Sequence, residues 1–329
     1  MTGALVTAAL IGCALVLTLL APNVLARWTA PRLAPAQGLL LWQSISIAGV
    51  LCALLAAPVA ALTLGLRQPT LLGMAIAVSA LMLARVLWSG HRVGTDLRRR
   101  RSRHRLLVDL VGERLEGPQP GSVHTPRPLG GVTLPGSAPG TRVAVVAQAN
   151  PTAYCLPGRH DRIVLSQAAL DRLDHEGLSA VLAHERAHLV HRHDLLLELF
   201  TVLHEAVPGP VRSPAALREV HLLAEALADR AAAVACGATS LARALVAMAT
   251  RETPNSPATP PTTAAPSQRT PAVPGSPYPD TAGGAGQQVG TRLRLLAAPS
   301  APVLLAPTLT ALAGLVAFLP FVLVAALLI

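Results

Sequence analysis

Ala183-His184-Glu185-Arg186-Ala187-His188 is the stretch on which the reading of this 329-residue chain turns. Leu178, Val181 and Leu182 precede it in helical register, so the pattern belongs on a helix, where positions i and i+4 share a face. The imidazoles of His184 and His188 can therefore meet one metal ion. Glu185 follows the first histidine, where its carboxylate can reach a water on that metal. With 11 His and nine Glu in the chain, the pattern arises by chance in roughly one such chain in a hundred. The competing explanation, a solvated polar helix face, is the weaker one.

Two histidines do not hold a catalytic zinc; three protein ligands and one open position are the usual arrangement. A metzincin would place a glycine and a third histidine soon after His188, but Leu189-Val190-His191-Arg192-His193 lacks that glycine. Glu225 is the better candidate. It lies in Glu225-Ala226-Leu227-Ala228-Asp229, on a helix read from Ala215 to Ala235 with Gly237 as its stop. Glu225 and Asp229 are four apart, so Glu225 can bind the metal while Asp229 accepts the other N–H of a liganding histidine. An Ala-rich helix can also carry two such acids on a plain exposed face, but the upstream His-Glu-x-x-His favours the ligand role. His191 and His193 read as polar-face residues.

Composition assigns the remainder to a membrane. Hydrophobic residues make up 52% of the chain and aromatics only 2%, so the apolar mass is Leu, Ala and Val. All 27 basic residues are arginines, and the net charge is +10. They concentrate beside apolar segments, which explains them by membrane anchoring and argues against direct nucleic-acid binding. The four cysteines show no C-x-x-C spacing and read as reduced structural thiols.

Uncharged runs at residues 3–21 and 41–65, and an apolar run at 70–89 whose one charge is Arg85, are long enough to span a bilayer. The first lacks a basic n-region and reads as a retained helix, not a cleaved signal. Arg92, Arg98, Arg99, Arg100, Arg101, Arg103 and Arg105 follow the third run and put its end in the cytoplasm. The N-terminus then lies outside and the Arg27/Arg32 connector inside. Arg85 reads as snorkelling to the interface.

Residues 106–250 are the one soluble-looking block large enough for a folded domain, after an Arg-rich juxtamembrane segment at 91–105. Residues 117–140 read as a Gly/Pro-rich loop. Residues 142–149 read as a strand, residues 153–156 and 162–165 as a hairpin, and Ser166 and Asp174 as N-caps of two helices. Leu195–Leu203 reads as a core or interfacial helix, broken by Pro208-Gly209-Pro210. Residues 251–298, with nine prolines between 253 and 290, read as a flexible linker. Arg292 and Arg294 precede a last apolar run within 299–329, whose C-terminus exits outward. The expected fold is a mostly α membrane protein with four transmembrane helices and an α+β zinc-peptidase domain.

The pair His184-Glu185-Arg186-Ala187-His188 and Glu225-x-x-x-Asp229, behind three N-terminal spans, resembles the M56 family of membrane zinc metallopeptidases, which is related to the M48 peptidases. Asn150-Pro151-Thr152-Ala153-Tyr154-Cys155-Leu156-Pro157-Gly158 is similar to the strand region before the helix in both families. The resemblance covers residues 1–250 in layout and 145–245 in motif. It implies a gluzincin-like domain holding one Zn2+ through His184, His188 and Glu225. It also implies Glu185 as general base, Asp229 orienting a ligand, and a polypeptide substrate such as a transcriptional repressor. No penicillin-binding sensor domain follows the last span, so the resemblance does not extend to β-lactam sensing.

The expected function is an integral-membrane zinc endopeptidase at the cell membrane, its site facing the cytoplasm and its termini outside, cutting a regulatory protein. The alternatives are an M48-like quality-control protease for membrane proteins and a signal-transducing scaffold whose metal is structural. An oxyanion donor is expected among His221, Arg218, His204 and Arg230, with His221, one turn before Glu225, preferred. The strand at 142–149 is expected to offer an edge to an extended substrate.

Overall fold

The computed structural model describes residues 3–111, 113–115, 142–158, 161–249 and 285–327. The loop expected at 117–140 and the Pro-rich stretch at 251–284 lie outside the described residues. Among those described, helices α1 (Gly3–Leu25), α2 (Pro35–Thr63), α3 (Pro69–Val111) and α10 (Leu305–Ala325) include four segments long and apolar enough to cross a membrane. Between α3 and α10 come β1 (Glu113–Leu115), β2 (Arg142–Val146), β3 (Ala153–Leu156) and β4 (Arg162–Ser166). Then follow α4 (Gln167–Arg172), α5 (His175–Val190), α6 (His193–Ala206), α7 (Pro214–Cys236), α8 (Ala238–Ala249) and α9 (Ala285–Ala297).

The chain divides into two compact units. The first comprises Met1–Asp96, Arg192–Leu227 and Ala297–Ile329, the second Leu97–His191 and Ala228–Leu296. This division differs from a single block at 106–250, because α6 and the first half of α7 pack with the apolar helices. One sequence reading is corrected here. Residues 285–297, read by composition as part of the linker at 251–298, form α9. The Arg-rich juxtamembrane segment at 91–105 is helical, since α3 continues through it to Val111.

In the first unit α1 and α2 pack through small residues. Val6, Leu10 and Ala14 meet Cys52, Ala53, Ala56 and Ala60, with Ala75 of α3 in the same cluster. Small side chains let helix backbones approach closely where lipid supplies no hydrophobic drive. Pro58 lies inside α2, where its ring strains the turn before it. Ser79 of α3 repairs the break: its hydroxyl donates to the Ala53 carbonyl at 2.6 Å and accepts from the Ala57 N–H at 3.0 Å. A serine thus splices a backbone bond that hydrocarbon could not solvate. Leu62, Leu87, Phe318 and Val322 stay exposed, as lipid-facing side chains should.

α6 is tied to α3 through polar caps. Ser89 Oγ donates to the Val202 carbonyl at 2.7 Å. Arg85 does not simply snorkel: its guanidinium donates to the carbonyls of Glu205, Ala206 and Val207, the orphan acceptors at the end of α6. Beneath α7, Arg32 clasps Glu219 in a two-pronged pair, both N···O distances 2.7 Å. Gly38 permits this approach, since a Cβ there would stand 3.0 Å from the Pro31 carbonyl and 3.3 Å from a Leu223 methyl.

The second unit is built on a sheet of order β1-β2-β4-β3, in which β2 and β4 are parallel and the outer pairs antiparallel. Strand alternation sends Ile163 and Leu165 of β4 against Leu178, Val181, Leu182 and Leu189 of α5, and Val164 to the opposite face with Tyr154, Leu156 and Val108. β2 has a neighbour on each side. It therefore offers no edge to a substrate, and that expectation is corrected; among the described residues β3 is an edge strand.

The Arg32–Glu219 pair gives a direct test. Glu219 is buried, so Arg32→Ala leaves a carboxylate without its partner and is expected to destabilise the protein by about 3 kcal/mol. Thermal unfolding in detergent micelles measures this, and adding Glu219→Gln to Arg32→Ala should restore part of the loss.

Candidate metal centre

Helix α5 starts where its sequence demands. The Asp174 carboxylate accepts from the Gly177 N–H at 2.7 Å, and Glu176 lies in the first turn. Glu176 also accepts from Ser240 Oγ at 3.0 Å and from Arg243 at 2.7 Å, pinning α8 to this end. One stripe of α5 (Leu178, Val181, Leu182, Leu189) faces the sheet. Roughly opposite, Ala180 packs against Ala232 of α7 and Leu241 of α8, all at most 1% exposed. His184 and His188 fall on the flank between these two faces, with Glu185 beside the sheet-facing stripe.

The ring nitrogens converge on that flank. Nε2 of His184 lies 3.1 Å from Nε2 of His188, and Nδ1 of His184 lies 3.0 Å from Asp229 Oδ1. Asp229 is carried by α7, and Glu225 stands one turn earlier on the same unbroken helix. One carboxylate oxygen of Glu225 and one ring nitrogen each of His184 and His188 lie within 4.8 Å of one another. His184 and Glu185 are buried, while His188 and Glu225 keep partial access.

This arrangement fits a zinc ion. Nitrogen ligands about 2.0–2.1 Å from a tetrahedral zinc sit roughly 3.3 Å apart, close to the separation of the two Nε2 atoms. With Asp229 accepting from Nδ1–H of His184, the Nε2 lone pair is left free to ligate. Two imidazole nitrogens and one carboxylate oxygen leave a fourth position open, as a catalytic site requires.

Asp229 has a second partner that sequence reading missed. Arg292 of α9 donates from Nε to Oδ2 at 2.7 Å and from Nη2 to Oδ1 at 2.5 Å. Burial would raise the Asp229 pKa, but the hydrogen bonds from Arg292 and then His184 outweigh it and hold the carboxyl below its ordinary value. The ionised carboxylate therefore serves both donors at once. In the sequence Arg292 looked like a membrane-flanking charge, no different from Arg294, which is exposed.

The oxyanion candidates separate by location. His221 sits on α7 one turn before Glu225, where burial lowers its pKa against an opposing pull from Glu225. Arg218 and Arg230 are exposed. His204 lines a cavity among the apolar helices. His193 is 2% exposed and so is not a polar-face residue, whereas His191 is exposed.

Asp229→Asn should weaken zinc binding by roughly 10–100-fold, because the amide cannot hold His184 in the same tautomer with the same strength. Arg292→Ala should weaken it about tenfold and Arg294→Ala not at all. Competition with a fluorescent zinc chelator on the full chain reads all three.

Comparison with known proteins agrees with this chemistry over part of the chain. No curated protein and no solved structure matches it. Residues 134–251, which hold α5, Glu225 and Asp229, match the family model of Peptidase family M48. M48 peptidases are zinc metalloproteases, and the match supports a metallopeptidase domain of that family here, without extending to M56.

Proposed function

We propose that the chain is an integral-membrane zinc endopeptidase whose site faces the cytoplasm. The observation that carries this reading is the His184–His188–Glu225 group with Glu185 on the same helix turn. Bound zinc would supply Lewis acidity, polarising a scissile carbonyl and making water a nucleophile near neutral pH. His184, His188 and Glu225 would hold the ion, and Asp229 keeps the proton on Nδ1 of His184. The Glu185 carboxylate takes the proton of the attacking water and passes it to the leaving amine. His221 is the assigned oxyanion donor, its imidazole one turn from Glu225. An extended substrate pairs with the free side of β3, which packs against α5.

The cytoplasmic placement draws support from the seven arginines that follow the third apolar run. The Arg32–Glu219 pair ties the connector between α1 and α2 to α7, so these lie on one side of the bilayer.

Two substrate classes follow from two observations. The layout of three leading spans, which resembles M56, favours regulatory cleavage of a repressor-like cytoplasmic protein. The family match over 134–251 favours M48-like quality control of membrane proteins.

Glu185→Gln is expected to retain zinc and lose cleavage of a quenched fluorescent peptide by roughly 100-fold or more. Zinc retention with undiminished cleavage would remove Glu185 from the mechanism. Absence of any cleavage by wild type after zinc loading would favour a scaffold with a structural metal. Proteome comparison of wild type with Glu185→Gln separates the substrate classes, since one soluble regulator or many membrane proteins accumulate uncut. A reporter fused within residues 251–284 should report the cytoplasmic side.

A further inference from the structure

The chemistry proposed for the metal centre uses none of the arginines at the end of α3. Six of the nine residues from Leu97 to Arg105 are arginine and none is acidic. Membrane anchoring explains arginines at the end of a span, but only within reach of the headgroups. The apolar run of α3 ends at Ser89, and the helix continues unbroken to Val111. At about 1.5 Å per residue, Arg98 stands roughly 13 Å, Arg101 roughly 18 Å and Arg105 roughly 24 Å further along the axis. The headgroup layer is only about 5–8 Å deep on each side, and a tilt of about 40° shortens these rises by about a quarter. Arg101 and Arg105 therefore lie past the lipid.

What they overhang is the free side of the sheet. α3 crosses one sheet face, with His104 against Tyr154 of β3, ring centroids 5.0 Å apart. Val108, four residues on, joins the cluster of Val164 of β4 with Ala144 and Val146 of β2. The helix ends at Val111, just before β1 on the far side of the sheet. It thus enters over β3, and the turns before His104 project beyond that strand. One strand spacing is about 4.8 Å, roughly three residues of helix rise, so a chain added to β3 passes beneath Arg101.

Helical spacing fixes which arginines face that chain. His104 and Val108, 8% and 3% exposed, turn one side of α3 to the sheet. Arg98, Arg101 and Arg105 are three and four residues apart and form the adjoining stripe. Arg105 anchors it by donating to the Pro157 carbonyl at the end of β3. Gly158 leaves the space for this, since a Cβ there would stand 2.5 Å from Arg105 Nη2. On β4, Arg162 pairs in register with Leu156 and alternates with Ile163, so it adds positive charge to the face that α3 covers. Arg98 is exposed and has no partner among the described residues. Arg99 and Arg103, also exposed, lie on the far side of the helix.

We propose that Arg98 and Arg101 select acidic polypeptides, binding carboxylates that flank the segment paired with β3. Guanidinium groups suit carboxylates in geometry as well as charge. This gives the peptidase proposed above its substrate class and rests on that reading. Exposed ion pairs are weak and screened by salt, so the preference is modest and falls with ionic strength.

The test uses the full chain carrying Glu185→Gln in phosphatidylcholine nanodiscs, so that binding is read without turnover. Fluorescent peptides share one uncharged extended core flanked by Glu or by Gln, and anisotropy measures their Kd. The Glu-flanked peptide is expected to bind about tenfold more tightly at about 50 mM salt and within about twofold at about 0.5 M. Arg98→Glu with Arg101→Glu should erase or invert that preference, with unchanged zinc affinity verifying the fold. Arg98→Gln alone, at an exposed position, should lower it about threefold. Arg103→Glu, the same charge change on the far side of the helix, should leave it within about twofold. Equal affinity for the two peptides, or a loss in Arg103→Glu as large as in the double variant, would overturn the proposal. Disappearance of the preference when about a third of the lipid is phosphatidylglycerol would assign the stripe to headgroups and overturn it too. Cleavage with Glu185 intact is scored separately: if neither peptide is cut, the peptidase reading fails, while the binding preference still decides the role of the stripe.

Discussion

The carboxylate of Asp229 is the constraint on which the candidate site depends. It is 2% exposed and accepts from a histidine on α5 and an arginine on α9. An uncompensated charge at that depth would cost several kcal/mol, so the two partners are obligatory. One of them, His184, thereby receives a defined tautomer and ring orientation. The other, Arg292, brings α9 onto the same point from beyond the Pro-rich segment. A single buried charge thus joins three helices and sets the ligand geometry beside it.

Close helix approach makes that charge usable. Ala180 and Ala232 are both fully buried, and their small side chains let α5 and α7 come near enough for short acidic side chains to reach imidazoles. The sheet presses on the opposite stripe of α5 and fixes its rotation. His184 and His188 are then left on the flank, the one direction open to a ligand. Among the apolar helices the same economy of side-chain size recurs, with Ala53, Ala56 and Ala60 of α2 against α1. There polar groups act as isolated splices and caps: Ser79 across the Pro58 break, Arg85 at the end of α6.

Much of this was legible because it is local. A His-Glu-x-x-His spacing declares a helix face, Ser166 and Asp174 declare helix starts, and uncharged runs of bilayer length declare spans. Each depends on residues within a few turns of one another. The readings that changed were those that required a distant partner. Strand β2 looked like a possible edge until β1 was seen to pair with it. Residues 285–297 looked like linker because composition does not reveal a helix that docks through Arg292 on Asp229 and Leu296 on the Ala180–Ala232–Leu241 cluster. Arg85 looked like an interfacial charge, since its acceptors lie on α6, about 120 residues away in sequence.

The sequence by itself therefore determined the membrane class, the helix bearing the two histidines and the residue types able to hold a metal, because periodicity and spacing are properties of neighbouring residues. Only the tertiary structure decided that Asp229 accepts from His184 and Arg292 together, and that β3 is an edge strand among the described residues. Those outcomes come from packing between segments tens to hundreds of residues apart, where burial, not propensity, sets which polar groups must find one another.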